Sequence, residues 1–514
     1  MTIRSEVQQR IQIQSPAETG ADILPSVKGL FDVLNQGNIR YCHWKSNLRL
    51  DWGMAGRTDL DVLIDPEHRQ RFEQVLADQG IKPLLAPVAK RYPGLEHYLG
   101  FDAQTGRFFH LHVHYTLVLG EQFVKNYSLP FEKQFLDATR SSHGVKVPSP
   151  EMELIVLTLR ALLKYRDRDV VKDVFSIRTP GIPDHILNEI IWLLEQTSLQ
   201  QVEQTLQTLP PSMDRGVILE FLETIQVAPR NGFALFRLRS RVRKMLRPYR
   251  RRNRLLASLN YFKILGHKLL IQRSAPDRQM GLPNGGLMIA LVGVDGAGKS
   301  TLCDDLTKWL RWKVDTPFHY LGSKQPSVWT NWSYIFFRMA RRGHRELSAL
   351  LGRGNLLVKL LLNIRQVFLA SHYLFVGYDR YGRYRLAKRE AGRGSVVIFD
   401  RYPFEAPLDG PEIHLIDNGF INQVCRKLSH VEKELYSKFE PVDMLILLNV
   451  DPEVSLQRKP DHPLETIQAK NTALNAVKTY LTKEPETWNW VSVDANMPFD
   501  DVLLHIKRII WAAL

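Results

Sequence analysis

Cysteine is nearly absent: Cys42, Cys303 and Cys425 are the three in 514 residues, scattered and without a CxxC pair. That argues against a disulfide scaffold or a cysteine-based zinc site and for a reducing compartment. Long apolar runs are missing as well. No window holds about 18 uninterrupted apolar residues, so no spanning helix is expected. The opening stretch MTIRSEVQQRIQIQSPAETG lacks the apolar centre of a secretory signal. A cytoplasmic location is the expectation. No internal repeat is found, and no DNA- or RNA-binding motif. What is present is ordinary: 44% hydrophobic and 24% charged residues describe a globular chain, neither disordered nor fibrous. The length exceeds one ordinary core, so two or three domains are expected.

Positive charge is abundant but uneven. The net charge is +15, and Leu235–Met280 alone carries 11 Arg and 3 Lys against 1 Asp. Asn331–Asp400 carries 11 Arg and 2 Lys against 4 acids, which leaves the rest of the chain net acidic. Residues 235–270 mix the arginines with Leu, Tyr and Phe, and three readings stay open. They contact nucleic acid, lie on an anionic membrane surface at the inner face, or form a solvated helical connector that neutralises neighbouring acids. Pro248 interrupts the first helix of this segment.

Patterning divides the chain into parts. Residues 22–150 alternate short β-rich runs with one clear helix: TDLDVLID precedes the helical PEHRQRFEQVLADQG, and HYLGF is joined to FFHLHVHYTLVL by DAQTG. Residues 151–273 turn helical, with i, i+3, i+4 apolar spacing in EMELIVLTLRALLKYR and HILNEIIWLLEQ. Residues 274–286, rich in Pro and Gly, read as a linker. From 287 to 514, strands alternate with helices, predicting an α/β fold with a parallel, doubly covered sheet.

The strongest motif is LMIALVGVDGAGKSTL. Gly293-x4-Gly298-Lys299-Ser300 follows an apolar strand and opens a helix, the context of a phosphate-binding loop. Gly293, Asp295, Gly296, Ala297, Gly298, Lys299, Ser300 and Thr301 would present backbone N–H groups, an ammonium and hydroxyls to the phosphates of ATP. Strand SVVIFDRY ends in Asp400, placed to hold Mg²⁺ with Ser300, and Arg401 offers a fork to an acceptor phosphate. After strand MLILLNV, a helix carries Arg458 towards a polar stretch, where it would neutralise developing charge.

GVDGAGKST, FDRY, LNVDPEVSLQRK and VSVDANMPFDDVLLHIKRII together resemble the thymidylate-kinase-like group of P-loop nucleoside monophosphate kinases, in that family's order over about 287–514. The resemblance implies a three-layer α/β fold, ATP·Mg²⁺ binding and γ-phosphoryl transfer, with Asp400 at the metal and Arg401 at the acceptor phosphate. The family's Arg-Glu-Pro acceptor motif is replaced by FHYLGSKQ, and its Ser…Ala-Tyr-Gln run by PFEAPLDG. A basic insertion with Arg380, Arg383 and Arg385 could clamp a different anionic acceptor. Kinase chemistry is implied; dTMP as acceptor is not.

In the first part, Asp59 and Asp61 leave one face of a strand, an arrangement able to share divalent cations. With Ser46 in HWKSN upstream, residues 38–115 resemble the α+β nucleotidyltransferase fold, in which a small-residue turn for the triphosphate precedes an Asp-x-Asp strand. The usual Gly-Ser is Lys45-Ser46 here, and the strand expected to bring a third carboxylate reads HLHVHY. His112 or His114 would ligate a metal there, or the histidines form a polar face satisfied by water and neighbours. The leading expectation is an ATP-dependent kinase for an anionic acceptor, a nucleotide first, fused to a possible nucleotidyltransferase; a dimer is compatible with it. The alternatives are a sugar or glycan acceptor in surface-polysaccharide assembly, and a nucleotide-gated binding module with an inactive transferase domain.

Overall fold

The computed structural model describes residues 22–87, 91, 94–120, 125–165, 182–227, 232–272, 279–322, 326–352, 354–403, 419–460 and 464–514. The chain separates into two compact units, Met1–Arg278 and Gln279–Leu514.

In the first unit, β1 (Tyr41–His43), β2 (Leu60–Ile64), β3 (Lys82–Leu84), β4 (Leu95–Asp102) and β5 (Arg107–His114) form a sheet of order β1-β2-β5-β4-β3. β2 and β5 run parallel, with Asp61 opposite His112, and the other neighbours are antiparallel. Helices Pro25–Gln36 and Arg69–Asp78 bury Leu30, Phe31, Phe72 and Leu76 in a core with the strand residues Val62, Leu111 and Val113. Two short hairpins follow, β6 (Val118–Leu119) with β7 (Tyr127–Ser128) and β8 (Thr139–Ser142) with β9 (Val145–Pro148).

The helices beyond residue 150 belong to this same unit. Helix Pro150–Lys164 buries every residue from Met152 to Leu163, so its apolar surface runs all the way round. A helix of that kind needs partners on every side. It finds them in the helices Asp184–Leu194, Leu199–Thr208, Arg215–Val227 and Gly232–Met245, and in Trp44, Leu63 and Phe131 of the strand region. The first half of the basic segment is therefore packed: Leu235, Leu238, Arg239 and Val242 are buried, while Arg237 and Arg241 pair with Glu220 and Arg241 also reaches Asp214. At Pro248 the helix gives way to a 3-10 turn, and Arg254–Gln272 then exposes Leu255, Leu259 and Phe262.

Glu153 in this core has a pKa raised to about 7, first by burial and then by the nearby Glu189 carboxylate. The unfolded carboxyl titrates near 4.5, so the folded chain holds a proton the unfolded chain gives up. Its contribution to stability is present below that pH and is lost as pH rises to about 7. Glu153→Gln is expected to raise the melting temperature at pH 8 by several degrees, on the order of 3 kcal/mol, and to change little at pH 4.5. Thermal melts at both pH values check this; an equal shift at both would refute it.

In the second unit, β10 (Leu287–Gly293), β11 (Phe318–Tyr320), β12 (Val396–Asp400), β13 (Met444–Asn449) and β14 (Trp490–Asp494) form an all-parallel sheet of order β11-β12-β10-β13-β14. Their near-continuous Val, Ile and Leu content fits strands covered on both faces. Helices Lys299–Arg311 and Leu356–Ala391 pack on β10 and β12. Residues 279–286, read as linker, are pinned to this unit: Met280 N–H donates to Lys313, Leu282 N–H to Gly394 and Gly286 N–H to Ala391. A Cβ at Gly286 would lie 1.8 Å from the Ser395 carbonyl oxygen, so only glycine fits that approach.

Helices Val328–Leu351 and Leu356–Ala391 pack on each other as a hairpin. Small polar side chains, Thr330 and Ser333, are buried, while Trp329, Trp332, Met339 and Leu356 face outward. Leu356–Ala391 is long and apolar enough to cross a membrane by length and composition, with an 18-residue window of mean hydropathy 1.2 that is 17% buried. The sequence expectation of no such helix missed it because Lys359 and Arg365 break the apolar run.

Candidate active site

Strand β10 ends at Gly293, and the chain turns through Val294–Gly298 into helix Lys299–Arg311. Two glycines make the turn possible. Gly296 (φ +87°) sits against Ser455, where a Cβ would meet Oγ at 2.8 Å, and Gly298 (φ +79°) is the left-handed residue that starts the helix. Ala297 is buried under the loop, and Thr301 is exposed on the first turn.

Lys299 is buried and its Nζ donates to the carbonyls of Gly293 (2.8 Å) and Val294 (2.7 Å). The ammonium is thus folded back over the loop that precedes it. Ser300 Oγ donates to Asp400 Oδ2 at 2.8 Å. Asp400, at the end of β12 beside β10, is 2% exposed, and its Oδ1 has no hydrogen-bond partner among the described residues. An orphaned carboxylate oxygen next to a hydroxyl is a hard-oxygen donor set suited to a divalent cation such as Mg²⁺.

Arg401 follows with φ +73°, a costly conformation for a residue with a side chain, and its N–H donates to Leu291. Its guanidinium lies 3.5 Å from Asp295 Oδ1, while Lys470 from helix Leu464–Lys483 pairs with Oδ2. Burial would raise the Asp295 pKa, but Lys470, Lys299 and Arg401 together bring it to about 2. Ser455 Oγ donates to the Asp295 carbonyl at 2.5 Å. Lys470 and Ser455 were not singled out in the sequence; each comes from a helix after β13, more than 150 residues from the loop, and carries no local signature.

Arg458 ends helix Pro452–Arg458 and donates to the Ala495 carbonyl at 2.9 Å, so it is engaged beyond β14 and not at the phosphate loop. Of the basic insertion, Arg380 is buried and donates to Tyr436 Oη at 2.5 Å, a packing role in place of a clamp. Arg383 donates to the Tyr320 carbonyl at the end of β11, and Arg385 is exposed. The PFEAPLDG run lies, from Phe404 on, outside the described residues.

In the first unit, parallel pairing of β2 with β5 brings the Asp59/Asp61 face against the histidine face. His110 Nδ1 is 2.8 Å from Asp59 Oδ1; His112 Nδ1 is 3.2 Å from Asp61 Oδ1, and its Nε2 is 3.5 Å from Asp59 Oδ2. Lys45 Nζ is 2.7 Å and His114 Nε2 3.5 Å from Asp61 Oδ1. Burial raises the Asp61 pKa, yet Lys45 and the imidazoles outweigh it and hold the carboxyl well below the usual range. Ser46 takes the left-handed conformation, but its N–H donates to Glu189 Oε1 at 3.0 Å. A carboxylate therefore occupies the backbone donor that the sequence assigned to a triphosphate.

No family model matches the chain. It is similar to the uncharacterized ATP-binding protein YghS of Escherichia coli (strain K12), 30% identical over 244 residues that cover 44% of this chain and 93% of that protein. The chain belongs to the YghS family over that region. The same share of this YghS-like chain, 44%, is 26% identical to 95% of "Probable thymidylate kinase 2" of Saccharolobus solfataricus. A solved structure of deoxyadenosine kinase from M. mycoides, with dCMP and dCDP, matches 44% of the chain at 16% identity and a TM-score of 0.28. The relatives are ATP-binding and kinase-like proteins, and they support a P-loop, kinase-like region in this chain.

Proposed function

We propose that the second unit is an ATP-dependent kinase that moves the γ-phosphoryl group of ATP to a small anionic acceptor, a nucleotide in the first instance. The observation that carries this reading is the Ser300–Asp400 pair with its orphaned carboxylate oxygen, set beside Lys299 at the mouth of a glycine loop. The ATP-binding and thymidylate kinase relatives support it.

Backbone N–H groups of the loop and the first turn of helix Lys299–Arg311 would hold the phosphate oxygens. Lys299 would exchange its two loop carbonyls for β- and γ-phosphate oxygens, a switch from neutral to charged partners that favours the bound state. Mg²⁺, held by Ser300 and Asp400, would neutralise charge on the transferred group. The acceptor oxygen would attack phosphorus as the bond to the β-phosphate oxygen breaks, leaving ADP. Arg383, on helix Leu356–Ala391 with its guanidinium on the Tyr320 carbonyl where β11 ends, is the insertion arginine best placed to meet the acceptor's charge.

Protein, Mg²⁺ and γ-labelled ATP incubated with nucleotide and sugar panels test the proposal. A labelled nucleotide made by wild type and not by Lys299→Ala is the expected result. A labelled sugar would move the acceptor to the glycan class, and bound ATP with no labelled product on any acceptor would overturn the kinase reading.

Lys470 gives a separate prediction. Lys470→Met removes the ion pair at Asp295 Oδ2 and leaves the carboxylate to Lys299 and Arg401, so net negative charge increases beside the phosphate loop. The pair is partly exposed, so KM for ATP should rise about threefold to fivefold with kcat nearly unchanged. Steady-state kinetics decide; a fall in kcat at constant KM would place Lys470 on the transferred phosphate instead.

A further inference from the structure

The geometry points to a transition-metal site in the first unit: we propose that His97, His110 and His112 bind one divalent first-row ion of the zinc class. The site is independent of the phosphate loop, so its failure would leave the kinase reading untouched.

Strands β4 and β5 pair antiparallel with His97 directly opposite His112, and His110 lies two residues along on the same face of β5. The His97 ring stacks on His110 at 5.4 Å and meets His112 edge-on at 4.9 Å, while His110 and His112 are 4.7 Å apart. One ring nitrogen from each residue lies within 4.8 Å of the others. Tetrahedral coordination at about 2.0–2.1 Å needs nitrogens about 3.4 Å apart, so nitrogens within 4.8 Å of one another must close by up to about 1.4 Å, a shift that χ adjustments can supply.

Three features favour an ion over a hydrogen-bonded cluster. His97 Nδ1 is buried and has no hydrogen-bond partner among the described residues, a costly state for a ring nitrogen. Asp59 sits on His110 Nδ1, the carboxylate–imidazole arrangement that fixes a ligating tautomer and leaves Nε2 with the lone pair. His112 faces carboxylates through both nitrogens, and a neutral ring can donate to only one of them. A cation at the remaining lone pair removes the clash with the carboxylate.

Imidazole donors without sulfur suit Zn²⁺, Co²⁺ or Ni²⁺ in preference to Mg²⁺ or Ca²⁺. Asp61, matched by Lys45, stays outside the ligand set. These ligands differ from the Asp59/Asp61/His112 set expected of the sequence: two strands of imidazoles supply the donors, and Asp59 supports from behind.

The test uses full-length protein stripped with a chelator and titrated with Co²⁺ and Zn²⁺. One Co²⁺ per chain with the visible d–d bands of a tetrahedral nitrogen site, displaced by Zn²⁺, is expected. His97→Gln and His112→Gln should each lose the bands, Asp59→Asn should weaken binding about 10–100-fold, and exposed His505→Gln should change nothing. Circular dichroism shows whether each variant is folded. A folded wild type that binds neither ion overturns the proposal, and so does binding that persists in the His97→Gln/His112→Gln double variant. A site that binds Mn²⁺ through Asp59 and Asp61 and ignores His97→Gln would be a carboxylate centre, which also overturns it.

Discussion

Lys299→Ala should reduce phosphoryl transfer by about 10²–10³-fold while leaving the protein folded. The ammonium is buried and donates to two loop carbonyls, Gly293 and Val294. Those carbonyls lie at the edge of a site that must admit nucleotide, so losing the lysine costs little packing. What would be lost is the preorganised charge offered to the β- and γ-phosphate oxygens as charge shifts towards the leaving β-phosphate in the transition state. The effect should therefore fall mainly on kcat, with a smaller rise in KM for ATP. Lys299→Arg should not restore activity, because a planar fork cannot occupy the point between the two carbonyls. Rates within tenfold of wild type for the alanine variant would remove this loop from the chemistry.

The phosphate loop was legible because its chemistry is local. Glycines that permit positive φ, a lysine and a hydroxyl fall within eight residues, and a buried strand announces Asp400 by its own end. The parallel sheet followed from the alternation of apolar strands with helices. Lys470 and Ser455 were hidden because a helical lysine or serine reads the same whether or not it meets a loop far away in sequence. Pro150–Lys164 showed a helical period, but its all-round burial depends on neighbours the period does not name. The linker signature of 279–286 gave way to tertiary hydrogen bonds.

The first unit shows the same limit from the other side. The sequence placed Asp59 and Asp61 on one face and His110, His112 and His114 on another strand's face. It did not show that β2 and β5 are neighbours, nor that β4 adds His97. Once they are, the carboxylates are matched by Lys45 and the imidazoles, and Ser46 is turned to Glu189. A two-cation transferase centre needs carboxylates able to turn to metal, and here each already has cationic or imidazole partners. For the nucleotidyltransferase expectation, topology supplies the juxtaposition and local pairing argues against the activity.

Asp400→Asn and Ser300→Ala should each lower kcat/KM, by about 10²-fold for the carboxylate and about tenfold for the hydroxyl, and the double variant should be no worse than Asp400→Asn alone. Ser300 donates to Asp400 Oδ2, and if both hold one divalent ion, removing the stronger ligand leaves the weaker one nothing to do. Stability should move the opposite way. Asp400 is 2% exposed and its Oδ1 has no hydrogen-bond partner among the described residues, so without the ion a carboxylate is buried at a cost. Asp400→Asn removes that charge and should melt at or above the wild-type temperature in chelator. Added Mg²⁺ with ATP should then stabilise wild type and not the variant. Fully additive kinetic losses, or a large drop in melting temperature for Asp400→Asn in chelator, would mean that Asp400 serves the fold and that Ser300 acts without it.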